Sequence, residues 1–209
     1  MSGYEKTVLR VSHTEPDTTL LGPFHRFVIW VHGCCFDCEG CLAENTRHGA
    51  FETVPVETLA AQIVSSGCEG ITLSGGEPFL QAAALAETVD LIRKERDIGV
   101  IVYSGFTREE IEGDASVLPL LRCADILIDG RYVRELDDGR PYIGSSNQRL
   151  HYLTDRYRES GAAYYAATKR RAEIRFSTDR AVLIGVPSAG TLALWEEIKQ
   201  RSGGMKDDF

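Results

Sequence analysis

No apolar run in the chain approaches 18 residues, so a membrane-spanning helix is excluded. The N-terminus, MSGYEKTVLR, lacks the apolar stretch of a secretory signal. These two absences point to a cytoplasmic protein. Basic residues are not in surplus either. Against 31 Asp and Glu there are 23 Lys and Arg, giving a net charge of −8. The basic footprint of a general nucleic-acid binder is therefore missing, although a local basic pocket for an anion remains compatible. Internal repeats and low-complexity segments are absent as well. A second cysteine group is also lacking: outside Cys34, Cys35, Cys38 and Cys41 stand only Cys68 and Cys123, which read as small apolar core residues.

What is present is ordinary for one globular domain. With 209 residues, 43% of them apolar and 26% charged, residues 1–209 suit a single domain with a substantial core. The core is expected over about 22–187, with a frayed tail at Gly203–Phe209. Thr7–Val11 is a short strand candidate. Phe27–Val31 (FVIWV) is a continuous apolar run of β-formers, as in a strand buried on both faces. Val56, Leu59, Ala60, Ile63 and Val64 keep helical spacing, with Gly67 near the helix end. Gly70–Leu73 is a second strand, and Pro78 suits the first turn of the helix whose stripe is Leu85, Val89 and Ile92. Val100–Tyr103 is a third strand, Thr107–Arg122 is helical, and Ala124–Ile128 is a fourth strand. Alternation of this kind predicts an α/β fold with a mostly parallel sheet and right-handed crossovers.

Residues 131–150 break the rhythm with glycine, proline and serine and read as an ordered loop or lid. Tyr157–Arg171 is weakly helical, and its Lys169-Arg170-Arg171 end reads as a solvated face. Glu173–Phe176 and Ala181–Ile184 suit a hairpin around Thr178-Asp179, and Ala189–Arg201 is a terminal helix. Trp30 reads as core. Arg26 reads either as a site residue or as a solvated charge.

In parallel α/β folds, sites gather at the C-terminal ends of strands. Four unusual stretches sit there: Val31–Asn45 with its cysteines, Ser74-Gly75-Gly76-Glu77-Pro78, Tyr103-Ser104-Gly105 and Ile128-Asp129-Gly130. They are expected to converge on one site. Clustered cysteines in a reducing compartment favour metal or redox chemistry over disulfides. Cys34, Cys38 and Cys41 form C-x3-C-x2-C, enough to grip three corners of an iron–sulfur cube. No remote cysteine supplies a fourth ligand well, so one iron is left open for a cofactor or substrate. A zinc site completed by His32, His48 or Cys35 is the plain alternative, and it lacks the second ligand pair of a structural zinc. Spacing alone also allows Cys35, Cys38 and Cys41.

The loop and the GGE-type turn together, in this order, resemble the radical S-adenosylmethionine (radical SAM) superfamily. Within it, Gly33–Cys41, SGGEP, Asp129-Gly130-Arg131-Tyr132 and Gly144–Arg149 (GSSNQR) resemble the small glycyl-radical-activase branch. The likeness is good over about 22–153 and weak over 173–187. It implies a minimal partial (β/α) barrel holding a [4Fe–4S] cluster on Cys34, Cys38 and Cys41, with Cys35 a bystander. It also implies reductive cleavage of SAM to a 5′-deoxyadenosyl radical, a glycyl-radical enzyme or a peptide as partner, and an external electron donor such as flavodoxin or ferredoxin. Under this reading Gly75 and Gly76 let backbone approach the cofactor, and Glu77 meets the SAM ammonium. Ser104 meets its carboxylate or ribose, and Phe36 offers a face to adenine. Asp129 is expected at the ribose or substrate, with a capping role as the plain alternative. Asn147, Gln148 and Arg149 suit a peptide backbone or an anion, or else hold their own loop. Relatives tend to have Gly-Pro-Gly where this chain has Gly22-Pro23-Phe24, and many superfamily members have an aromatic where it has Gly40. Two other functions are compatible with the sequence: modification of a peptide or small metabolite by the same chemistry, and a metal- or redox-sensing module without catalysis.

Overall fold

The computed structural model describes residues 6–167, 169–176, 180–201 and 206–208. The FVIWV run is the middle of β2 (Arg26–Val31), which is buried along its whole length. Successive side chains on a strand point to opposite faces, so β2 needs cover on both. Phe27, Ile29 and Val31 join one core cluster, and Val28 and Trp30 join another. Beside β2 lie β4 (Gly70–Gly75), β5 (Gly99–Tyr103) and β6 (Ile126–Asp129), all parallel. This is the sheet centre that the alternating pattern predicts. A single helical turn, α1 (Asn45–His48), closes the cysteine loop. The crossover helices α2 (Val56–Ser66), α3 (Ala82–Glu95) and α5 (Leu118–Cys123) cover one face, with short α4 (Arg108–Glu112) beside them. Gly67 ends α2 in the left-handed conformation, as its position suggested.

Three strands of this sheet went unpredicted or under-predicted. β1 (Val8–Thr18) runs antiparallel to β2 well past Val11, and β3 (Glu52–Pro55) pairs with β1. β7 (Arg149–Tyr152) adds antiparallel to β6 at the end of the presumed lid. The full order is β3-β1-β2-β4-β5-β6-β7, an open mixed sheet with a parallel centre. The polar sequence HTEPDT of β1 carries no strand period; pairing with β2, with two register shifts, holds it extended.

The second face of the sheet is covered by the C-terminal part of the chain. Tyr157 and Tyr165, from the start and the body of α6 (Arg158–Ala167), pack on Ile101, Ile126 and Ile128. Val182 and Ile184 of β9 (Arg180–Gly185) pack on Val28 and Trp30. β8 (Ala172–Phe176) pairs antiparallel with β9 as the expected hairpin; its turn at Thr178-Asp179 lies outside the described residues. α7 (Ala189–Arg201) buries Trp195 against this small sheet. Part of the expected frayed tail is a strand, β10 (Lys206–Asp208), parallel to β9.

Arg26 is neither in the site nor in solvent. It is fully buried at the start of β2, on the second face. Its guanidinium donates to Thr72 Oγ1 (2.7 Å), the Tyr157 hydroxyl (3.0 Å), the Gly99 carbonyl (3.2 Å), Glu69 (3.4 Å) and the Ile71 carbonyl. A buried guanidinium is tolerated only with its donors satisfied, and here they fasten β2, β4, β5 and the entrance to α6 together.

Candidate active site

Loops after β2, β4, β5 and β6 meet, as expected, around one cavity of about 1170 Å³, its open mouth included. From the first loop it is lined by Cys34, Phe36, Cys38 and Cys41, and from the next by Ser74, Gly75, Gly76 and Glu77. Ser104, Gly105 and Gly130 complete the ring.

The first two loops are bonded to each other. Gly76 N–H donates to the Val31 carbonyl and Glu77 N–H to the Gly33 carbonyl, both at 2.8 Å. A Cβ on Gly76 would stand 2.1 Å from the Gly33 oxygen. Gly75 has φ +96°, and a Cβ there would meet Trp30 backbone at 2.7 Å. These glycines thus permit loop-to-loop contact, a requirement additional to the expected approach of a ligand.

Glu77 is buried. Its carboxylate accepts from Gly105 N–H (2.8 Å), Phe79 N–H (3.0 Å) and the Ser104 hydroxyl (3.0 Å). Burial outweighs these three donors and pushes it up to about 7. Ser104 also accepts from Phe106 N–H, so it positions both Glu77 and the β5 turn.

The three spaced cysteines line the cavity, whereas Cys35 is exposed and does not. Burial pushes Cys34 up to about 11 and raises Cys41. Cys68 and Cys123 are buried elsewhere in the core. His32 stacks on Phe51 and faces Ser12, away from the cavity. Among the described residues, no three His, Cys, Asp or Glu side chains are grouped to hold a single metal ion. Three thiols spread around a cavity, with no fourth beside them, fit a polynuclear cluster with one open corner better than a four-ligand zinc.

Two basic residues that the sequence did not flag organise the cysteine loop. Arg47, nearly buried, donates to the Phe36 carbonyl (3.2 Å) and pairs with Asp37 and Glu44. Arg134 lies against Gly40, where a Cβ would stand 2.9 Å from its Nε, and pairs with Glu39 at 2.9 Å. Phe36 meets Phe106 edge-on at 4.7 Å, with the Arg131 guanidinium 4.5 Å from its ring centre.

Asp129 does not line the cavity. Its buried carboxylate accepts from Arg108 N–H (2.6 Å) at the start of α4 and from Arg149 Nη2 (2.6 Å). Burial pushes it up, but Arg149, that amide and His151 outweigh burial and hold it below the usual carboxylate range. Asp129 thus makes the capping bond that the sequence offered as the plain alternative. Gln148 lines the cavity yet bonds Gly144 N–H, Ser145 N–H and the Gly130 carbonyl, while Asn147 bonds the Arg131 carbonyl. With Arg149 on Asp129 and Glu109, the GSSNQR segment satisfies its own loop. Arg170 is not a solvated charge: it pairs with Asp137 at 2.7 Å.

A mixed α/β sheet with a parallel centre and a thiol-lined cavity at its strand ends is an arrangement that suits an iron–sulfur cluster. A family model described as a 4Fe-4S single cluster domain matches residues 20–151. The chain belongs to that family and, within it, to the radical SAM enzymes, with a [4Fe–4S] cluster and SAM as cofactors. Over 143 residues it is 34% identical to the anaerobic ribonucleoside-triphosphate reductase-activating protein of Enterobacteria phage T4, covering 64% of this chain and 88% of that one. The protein of the same name from Vibrio cholerae serotype O1 is 30% identical over 150 residues, 66% of this chain and 95% of its own. Pyruvate formate-lyase 1-activating enzyme of Escherichia coli K12 is 29% identical over 151 residues, 67% of this chain and 58% of its own.

Proposed function

We propose that this chain activates a glycyl-radical enzyme by removing one hydrogen atom from a glycine of its partner. The observation that carries this reading is the convergence of Cys34, Cys38 and Cys41 with Gly75-Gly76-Glu77 and Ser104 on one cavity, in a chain similar along its sheet to named activating proteins. Cys34, Cys38 and Cys41 hold the cluster. A cluster held there, given one electron by a reductant, would supply the chemistry that splits SAM's carbon–sulfur bond to methionine and a 5′-deoxyadenosyl radical, the hydrogen acceptor that ends as 5′-deoxyadenosine.

The chain's own residues bind and orient. Glu77, held by three donors, presents a carboxylate to the SAM ammonium, and the backbone of Gly75 and Gly76 keeps the cofactor close to the cysteine loop. Ser104 fixes the Glu77 rotamer and so acts by positioning. Phe36, braced by Phe106 and Arg131, offers a flat face to adenine. Trp30 and Tyr142 along the wall keep water from the reacting carbon.

We assign residues 1–209 to one domain, in the cytoplasm, with a small electron-transfer protein such as flavodoxin or ferredoxin as reductant. No helix among the described residues is long and apolar enough to cross a membrane. The test is anaerobic incubation of the cluster-loaded protein with SAM, a reductant and a glycyl-radical enzyme from the same organism. A glycyl-radical doublet in the electron paramagnetic resonance spectrum is expected. Its absence, with 5′-deoxyadenosine still formed, would move the substrate to a different peptide or metabolite.

A further inference from the structure

The part of the chain that matches the family does not finish the cavity. The family match ends at residue 151, yet Leu183, Gly185, Val186 and Pro187 form part of the cavity wall. They come from β9 and the turn after it, seated on the second face of the sheet by Val182 and Ile184. The Arg170 guanidinium joins this turn to the 131–148 loop, bonding Asp137 (2.7 Å) and the Pro187 carbonyl (3.4 Å). Leu183, Val186 and Pro187, with Leu21 and Trp30, make one side of the cavity apolar and free of charge. The charged lining residues, Arg47 and Glu77, belong to the cysteine loop and the turn after β4.

We propose that residues 183–187, beyond the stretch the family model matches, are a specificity wall that selects a hydrogen donor with an apolar flank. The substrate it fits is an extended peptide segment whose glycine stands beside an uncharged, apolar residue. The glycine rests on the activase reading; the flank and the role of this wall go beyond it. A charged residue seated there would lose its hydration and meet no partner on this wall.

The test uses the full-length, cluster-loaded protein with SAM and two short synthetic peptides. Both carry a central dideuterated glycine, flanked by leucine in one and by aspartate in the other. Binding is measured by calorimetry and deuterium transfer into 5′-deoxyadenosine by mass spectrometry. The leucine peptide is expected to bind about tenfold more tightly or better. Val186→Asp should erase that preference, and the similarly shaped Val186→Thr should narrow it to about threefold. Equal binding of both peptides, binding of neither, or an unchanged preference in Val186→Thr would overturn the wall. Preferential binding without deuterium transfer would uphold the wall and overturn the glycine reading. Deuterium transfer equally from both peptides would do the reverse.

Discussion

On the proposed reading, Glu77 is the residue that holds the SAM ammonium. A carboxylate raised to about 7 is partly protonated at neutral pH, and only its ionised form attracts an ammonium. SAM affinity of the cluster-loaded protein should therefore rise between about pH 6 and about pH 8 and then level off. Calorimetry across that range checks it, and Glu77→Gln should bind about tenfold more weakly with a flatter profile. Stability of the SAM-free protein should move the other way. Between its ordinary 4.5 and about 7, the folded chain holds a proton that the unfolded chain has released, so stability falls as pH rises through that window. Cys34→Ala should lose most bound iron while Cys35→Ala keeps it, because only Cys34 of that pair lines the cavity; iron and sulfide assays decide. The cysteines and Glu77 were legible because their spacing and setting carry chemistry. Arg47 was not, since one arginine in a polar loop has no signature. Asp129 was legible only as a strand-end carboxylate, which looks alike whether it meets a ligand or caps a helix; its bond to Arg108 N–H needed the structure.

At the scale of elements, the contact between the cysteine loop and the turn after β4 is tight enough to be broken by one methyl group. Gly76→Ala places a Cβ on the Gly33 oxygen and should cost about 3 kcal/mol in urea unfolding, with loss of iron. Phe24 holds a left-handed backbone, φ +62°, which costs any residue with a Cβ. Phe24→Gly should therefore stabilise the chain by about 1 kcal/mol, read from its thermal midpoint. Parallel strands and crossover helices could be read from the sequence because each is a clean apolar run or stripe. Edge strands β1, β3 and β7 could not: they are short, polar or irregular, and tertiary pairing holds them extended.

For the whole molecule, the informative feature is how the second face of the sheet is closed. Val28, Trp30, Ile101, Ile126 and Ile128 would be bare without α6 and β9. The sequence shows those residues as apolar but not what covers them, because the covering segment has only weak periodicity of its own. Arg26 joins the two parts through Tyr157 and should be needed for cooperative folding. Arg26→Met would take the guanidinium donor from Thr72 Oγ1, two strand carbonyls and the Tyr157 hydroxyl, while Glu69 keeps Tyr157 and Arg156, at a cost of about 3 kcal/mol. Chemical denaturation of the purified variant measures this.

A cluster on three cysteines that cleaves SAM must leave a product. Chromatography for 5′-deoxyadenosine, after anaerobic reconstitution and dithionite reduction with SAM, detects it. The wild-type protein is expected to form 5′-deoxyadenosine and Cys38→Ala none. An iron-loaded wild-type sample that forms none, with or without a candidate partner, would overturn the proposed function.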